Sequence, residues 1–318
     1  MHKIFFLSML IFLAGCNGDI FIDDYLPGEP DEIIISETDN GKKINFKSDN
    51  WSLIKVFCEI PYPFTINAYT LDGELTYLPF DEKEPGTVHY TSDYIDVRIE
   101  KKSGKKLKVT LNENLLDEDV KMLLIVGNDF KQKQINLVLT PTQKYQIDRV
   151  VYDWDRFETH KGGLIEMQSL TVDNQKNDTP LTIGFFPFMY SNREVDFYDP
   201  TVPHFDDVYR KLLGTPLPQI VIPDIVDGEL VLLDTKVELD VGTKHLPTGL
   251  DKELIVDVTI DPFDIRKVIV YNEFISYSVP YKIYLSNPKT GKELIFSGKL
   301  NSREPIDYLI FQRKVDEN

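Results

Sequence analysis

From residue 32 onward, turn signals recur at short intervals. Asp39-Asn40-Gly41, Asp72-Gly73, Pro85-Gly86, Ser103-Gly104, Asn112-Glu113-Asn114 and Gly127-Asn128-Asp129 cut the first half of the chain into short runs. These residues adopt the turn conformations that β-branched and aromatic residues resist. Within the runs apolar and polar residues alternate, as in Lys43-Ile44-Asn45-Phe46-Lys47, the period of a strand with one buried face. The pattern predicts strands over 32–36, 43–47, 52–60, 75–79, 94–100, 106–111, 121–127 and 134–139. No amphipathic helix fits between them, so an antiparallel β-sandwich is expected.

The second half keeps the alternation and lengthens the runs. Tyr145-Gln146-Ile147-Asp148-Arg149-Val150-Val151 opens it, and strands are expected over 164–172, 180–190, 217–222, 228–241, 252–260, 265–286 and 292–300. Asn287-Pro288-Lys289-Thr290-Gly291 is a hairpin loop between the last two. One short helix is expected at 205–213, with acids early, bases late and Gly214 to end it. At 42% hydrophobic, the 318 residues hold enough apolar material for ordinary cores, and the length suits two domains. The expectation is an all-β chain: a sandwich at 32–140, then an elongated β-rich domain with long antiparallel strands at 145–313.

The first 16 residues carry another signal. His2 and Lys3 precede a nearly unbroken apolar run over 4–13, then small Ala14 and Gly15, then Cys16. The run is shorter than the roughly 20 residues of a membrane-crossing helix and has the order of a secretory signal. Leu13-Ala14-Gly15-Cys16 resembles the lipobox of bacterial lipoproteins, whose cysteine is acylated and becomes the first mature residue. The resemblance implies a lipid anchor at Cys16. Asn17, where an aspartate would signal inner-membrane retention, points to the outer membrane, on its periplasmic or its exposed side. Each acyl methylene contributes about 0.8 kcal/mol, so two or three chains hold firmly. Residues 17–31, with Gly18, Pro27-Gly28 and Pro30, read as a tether.

Losing residues 1–16 removes one Lys and no acid, which takes the net charge from −17 to −18. That excludes nucleic acid as a partner and disfavours docking on anionic headgroups. With Cys16 acylated, only Cys58 remains, in the apolar run 53–60, where a buried thiol is expected and no intramolecular disulfide can form.

Two stretches resemble known families. Gly41-Lys42-Lys43-Ile44-Asn45-Phe46-Lys47-Ser48-Asp49-Asn50-Trp51 resembles the opening of a BACON domain, the Ig-like module of Bacteroidetes. Residues 106–114, 121–126 and 134–138 are similar to its later strands. The resemblance covers 32–140, lacks the usual Gln-Glu-Gly ending, and has no counterpart for the longer middle at 61–93. It implies an Ig-like sandwich linked to surface glycan systems, often as a spacer. Asp261-Pro262-Phe263-Asp264-Ile265-Arg266-Lys267-Val268, followed by Tyr277-Ser278-Val279-Pro280-Tyr281, resembles the epsilon-toxin branch of the aerolysin-type fold over 250–300. That family forms β-barrel pores through a Ser/Thr-rich amphipathic hairpin. Residues 230–239 alternate in their second part, but they are charged rather than Ser/Thr-rich.

The sequence shows no Gly-x-Ser-x-Gly elbow, His-Glu-x-x-His, phosphate loop or dinucleotide fingerprint, and no cofactor is expected. His89, His160, His204 and His245 are widely spread; acid pairs abound among the 52 acids, which chance alone produces, and a glycosidase pair stays open. Asp153 and Asp155 flank Trp154 without a calcium-loop pattern around them and read as a solvated strand end. The most aromatic stretch is Ile183-Gly184-Phe185-Phe186-Pro187-Phe188-Met189-Tyr190. Aromatics exposed together can stack on sugars or meet a partner. The expected function is therefore a non-enzymatic surface lipoprotein that binds a glycan or an envelope protein, with Trp51, Trp154, Phe185, Phe186, Phe188 and Tyr190 as contacts. A pore-forming toxin-like protein and a structural spacer are the alternatives.

Overall fold

The structure, a computed structural model, describes residues 32–60, 63–79, 85–200 and 207–315. The signal, Cys16 and the tether lie outside the described residues. The chain is all-β, with antiparallel pairing throughout except between β1 and β10. It divides into two compact units, one running to Tyr145 and including Asn287–Gly291, the other formed by Gln146–Ser286 and the chain from Lys292.

The first unit has a four-stranded and a six-stranded sheet. Strands β1 (Glu32–Ile35), β10 (Gln132–Leu139), β9 (Val120–Gly127) and β3 (Ser52–Cys58) make the first, in that order. Strands β2 (Lys42–Asn45), β8 (Lys106–Asn114), β7 (Ile95–Ser103), β6 (Gly86–Ser92), β4 (Phe64–Thr70) and β5 (Leu75–Thr76) make the second. The alternation has the expected consequence: Leu107, Val109 and Leu111 of β8, and Met122, Leu124 and Val126 of β9, are buried. Cys58 is buried among them, and burial raises its thiol pKa to about 11. The middle stretch, 61–93, supplies strands of the six-stranded sheet. Within it Gly86–Ser92 alternates Val88 and Tyr90, both buried, with polar neighbours and forms β6, while Phe64–Thr70 forms β4 against it.

In the second unit, β19 (Ile265–Ser286) and β20 (Glu293–Lys314), each of 22 residues, pair along their length as a hairpin. The turn between them is fixed by Asn287, whose Oδ1 accepts from the Lys289 and Thr290 amides at 2.9 and 3.1 Å, with Gly291 at φ 71°. On one side β19 carries β12 (Glu158–Asp173) up to Ser278 and β11 (Gln146–Tyr152) from Tyr281. Pro280 sits in the interval between them, where the neighbouring strand is interrupted. On the other side β20 carries β14 (Arg193–Tyr198), which carries β17 (Gly242–Leu246).

The pair β13 (Leu181–Phe185) and β18 (Val256–Ile260) packs Phe185, Val258 and Ile260 on Val172, Val268 and Val270. The expected strand 180–190 thus stops at Phe185, because Pro187 and the turns at Met189 and Ser191 end it. The helix α1 (Val208–Leu213) is shorter than expected, and residues 205 and 206 lie outside the described residues. Strands β15 (Gln219–Val226) and β16 (Glu229–Glu238) form a sheet of their own.

Candidate functional site

Three of the aromatic residues expected to be binding contacts are core residues instead. Trp51 is fully buried, stacked on Phe46 at 3.7 Å, and its Nε1 donates to the Gly104 carbonyl at 2.6 Å. Lys101 Nζ lies 5.0 Å from its ring centroid and donates to the Trp51 carbonyl. An indole with its ring stacked and its N–H satisfied has no free face for a sugar. Phe185 is buried in the β13–β18 core, and Phe188 is buried edge-on against Tyr308 at 5.4 Å. Phe186 is half-buried, its carbonyl accepting from Gln168 Nε2. Trp154, 40% exposed beside Tyr152, and Tyr190, 67% exposed, remain at the surface. The six residues therefore do not make one aromatic platform. Asp153 is engaged by Arg156 at 2.6 Å.

The arrangement that stands out is how β15–β16 is attached. Its turn, Asp227-Gly228, has φ values of 53° and 85°, the left-handed pair of a tight two-residue hairpin. The two strands pair with each other and with no other described strand. At the base, Ile220, Ile222, Val237 and Leu239 are buried, and the Leu239 amide donates to the Pro218 carbonyl. Above the base the contact with the long sheet is made by side chains. Arg193 of β14 is buried and donates through Nε to Ser302 Oγ at 2.9 Å and through Nη2 to the Pro223 carbonyl at 2.7 Å. Its Nη1 makes an ion pair with Asp224 Oδ1. Tyr277 of β19 donates to the same Pro223 carbonyl at 2.6 Å, and Tyr152 of β11 donates to the Val221 carbonyl at 2.8 Å.

The groups are tuned to this task. Burial pulls the Arg193 charge down, but its hydrogen bond to Asp224 and the fields of Tyr277, Asp224 and Glu304 outweigh that and hold its pKa above the ordinary value. Burial pushes the Tyr277 phenol up to about 12, against the pull of Arg193. Burial also raises Tyr152. Both phenols are therefore neutral donors at physiological pH. The attachment is incomplete beyond it. Asp224 Oδ2 is buried with no hydrogen-bond partner, and a cavity of about 520 Å³ opens between Ile225, Val226 and Leu233 of the hairpin and Leu246, Pro247 and Glu304 of the sheet side.

The upper hairpin is apolar and partly open. Val226, Leu232 and Leu233 are 44%, 50% and 54% exposed. The register sets Ile225 opposite Leu230 and Pro223 opposite Leu232 on one face, and Asp224 opposite Val231 and Val226 opposite Glu229 on the other. The hairpin is thus amphipathic: one face is apolar, the other mixed. Sequence reading finds its strands but not its latch. The signals were present: Asp227-Gly228 between apolar runs, and Arg193-Glu194-Val195-Asp196-Phe197, whose alternation puts an arginine on the buried face.

No family model matches the sequence, so the BACON-like resemblance of 32–140 gains no support from one. No curated protein matches it either. Among solved structures, the chain is similar to parasporin-2, a Bacillus thuringiensis toxin that recognizes cancer cells, with 12% identity and a TM-score of 0.28 over 54% of this chain and 75% of that one. It is similar to an aerolysin-like protein of Bombina maxima, with 11% identity and a TM-score of 0.26 over 54% of this chain and 99% of that one. It is also similar to lamprey immune protein, with 11% identity and a TM-score of 0.33 over 87% and 96%. These names lie in the direction of the resemblance drawn for 250–300. At such scores they carry no argument, and the functional reading rests on the geometry alone.

Proposed function

We propose that the protein is a non-enzymatic, membrane-acting β protein whose β15–β16 hairpin leaves the long sheet and enters a lipid bilayer. The observation that carries this reading is the attachment of the hairpin: backbone pairing only within itself, a side-chain latch at Arg193, Tyr277 and Tyr152, and an amphipathic upper part that is half exposed. Its strands of 8 and 10 residues approach the 9–11 that a tilted membrane strand needs. A lone hairpin leaves unpaired backbone edges in hydrocarbon, so insertion requires several copies closing a barrel. No described helix is long and apolar enough to cross a membrane, which bears on helices only.

A Cys16 anchor, acylated as the lipobox resemblance implies, keeps the chain on the outer membrane in this reading. Cys16→Ser is expected to move the protein from membrane to soluble fractions, and retention after signal cleavage would remove the anchor.

The test of the hairpin uses dye-filled phosphatidylcholine vesicles, since the strongly negative chain disfavours anionic lipid. The full chain is expected to release dye. The double variant Leu232→Asp, Leu233→Asp is expected to abolish release with an unchanged melting temperature, because both side chains are already half in water. Wild-type protein that releases no dye sinks the reading.

A further inference from the structure

The strands that hold the hairpin on one face present an unusual opposite face. The register aligns two rows across five strands. His160 of β12, Ser276, Arg303, Glu194 and His245 of β17 form one row. Glu158, Ser278, Asn301, Asp196 and Thr243 form the next. Residues paired across a ladder, and residues two apart along a strand, share a face, so these ten side chains lie together. Every one is polar. The intervening row points to the other side, and its central members Tyr277, Ser302 and Val195 are buried. The ten are not simply a solvated surface: Glu194, Asp196, Ser276, Ser278 and Asn301 are half-buried around a groove of about 290 Å³.

We infer that this groove binds one residue of a carbohydrate, a neutral polyhydroxylated ligand. The chemistry of the rows disfavours an apolar ligand, an anion and a metal ion. An apolar ligand finds no apolar partner in either row. An anion in the groove meets Glu194 and Asp196, and the one guanidinium, Arg303, is already bound to Glu194. A metal ion lacks a ligand set, since no group of three or more His, Cys, Asp or Glu is placed to hold one among the described residues. The rows suit a ligand that both donates and accepts at many points. Carboxylates accept sugar hydroxyls, while serine hydroxyls and the Asn301 amide do both. The ligand class expected for the aromatic segment is thus assigned to a different place, on residues that no single sequence segment contains.

The groove and the hairpin occupy opposite faces, so the two functions are separately testable. Saturation-transfer NMR on the full chain with free galactose, glucose, mannose and N-acetylglucosamine, each raised to about ten times a millimolar Kd, is expected to show transfer from at least one sugar. A second arm measures binding to phosphatidylcholine vesicles with and without lactosylceramide, to separate a free sugar from a glycolipid headgroup; binding in either arm supports the site. Asp196→Asn and Ser278→Leu are each expected to weaken that binding at least tenfold without shifting the melting temperature. The Leu232→Asp, Leu233→Asp variant is expected to bind sugar as the wild type does. Silence in both arms, or binding that survives both groove variants, overturns the inference.

Discussion

The two central hairpins of the second unit are made of the same material and fixed in opposite ways. The β19–β20 hairpin has a ladder on each flank, with β11 and β12 on β19 and β14 on β20. To move it, whole rows of backbone hydrogen bonds must break together. The β15–β16 hairpin has no flanking ladder among the described strands. Above its buried base it is held by Arg193, Tyr277 and Tyr152, each bond contributing about 0.5–1.5 kcal/mol, or 1.5–3 where a charge takes part. Ladder pairing makes an element part of the fold. Side-chain attachment to backbone carbonyls makes it separable at the cost of a few named bonds.

The sharpest way to break this comparison is at Arg193. Arg193→Ala leaves Asp224, whose side chain is 13% exposed, without its partner and is expected to destabilise the hairpin by about 3–5 kcal/mol. Hydrogen exchange should quicken at the β15–β16 amides while the β19–β20 amides keep their protection. If both hairpins lose protection together, the distinction fails. The opposite perturbation strikes the ladder side. A Cβ on Gly298 would lie 2.3 Å from the Tyr198 carbonyl oxygen and 2.7 Å from the Tyr281 hydroxyl. Gly298→Ala is expected to cost about 1–3 kcal/mol by overpacking. Its exchange effect should centre on β14 and β20, and an effect confined to the β15–β16 amides would count against the assignment.

How far the sequence reveals this contrast depends on the range of the interaction. Alternation and turn residues are local, so the strand content and the span of β19 were legible. The β20 strand runs to Lys314, well past the expected end at 300, because its C-terminal half pairs with the start of β19, a register no local window contains. Strands β14 and β17 escaped because each is short and gains its place only from a distant partner, β14 from β20 and β17 from β14. The aromatic cluster misled for a related reason: Phe185 and Phe188 look like a surface in one dimension and are buried by Val258 and Tyr308, far along the chain. The latch was illegible for the same cause. Arg193 meets Asp224 31 positions away and Ser302 109 away, and Tyr152 meets Val221 69 away. A carbonyl acceptor such as that of Pro223 carries no side-chain signature at all.

A milder change sharpens the comparison without leaving a buried charge unpaired. Tyr277→Phe removes one hydroxyl, and with it the 2.6 Å bond to Pro223 and the acceptor of an Arg193 bond at 3.2 Å. The expected loss is about 1 kcal/mol, which should speed exchange of the hairpin amides around fivefold and leave the central β19–β20 amides unchanged. Equal slowing or speeding in both hairpins would mean that Tyr277 serves the sheet as a whole.

The smallest effect is in the pH dependence of that same loss. The Tyr277 phenol rises from 10 to about 12, with burial the largest cause and Arg193 opposing it. Its folded pKa lies above its unfolded one, so its contribution is fully present below pH 10 and is lost as the pH climbs toward 12. Phenylalanine at 277 has no proton to lose. The stability gap between wild type and Tyr277→Phe is therefore expected to stay constant up to pH 10 and to narrow above it. Paired urea melts across that window measure the gap directly, and titrations common to both proteins, including those of the other tyrosines, cancel in the difference. A gap that stays flat to pH 12 would show that the Tyr277 proton is not what ties the hairpin to the sheet, and the latch would then rest on Arg193 and Tyr152 alone.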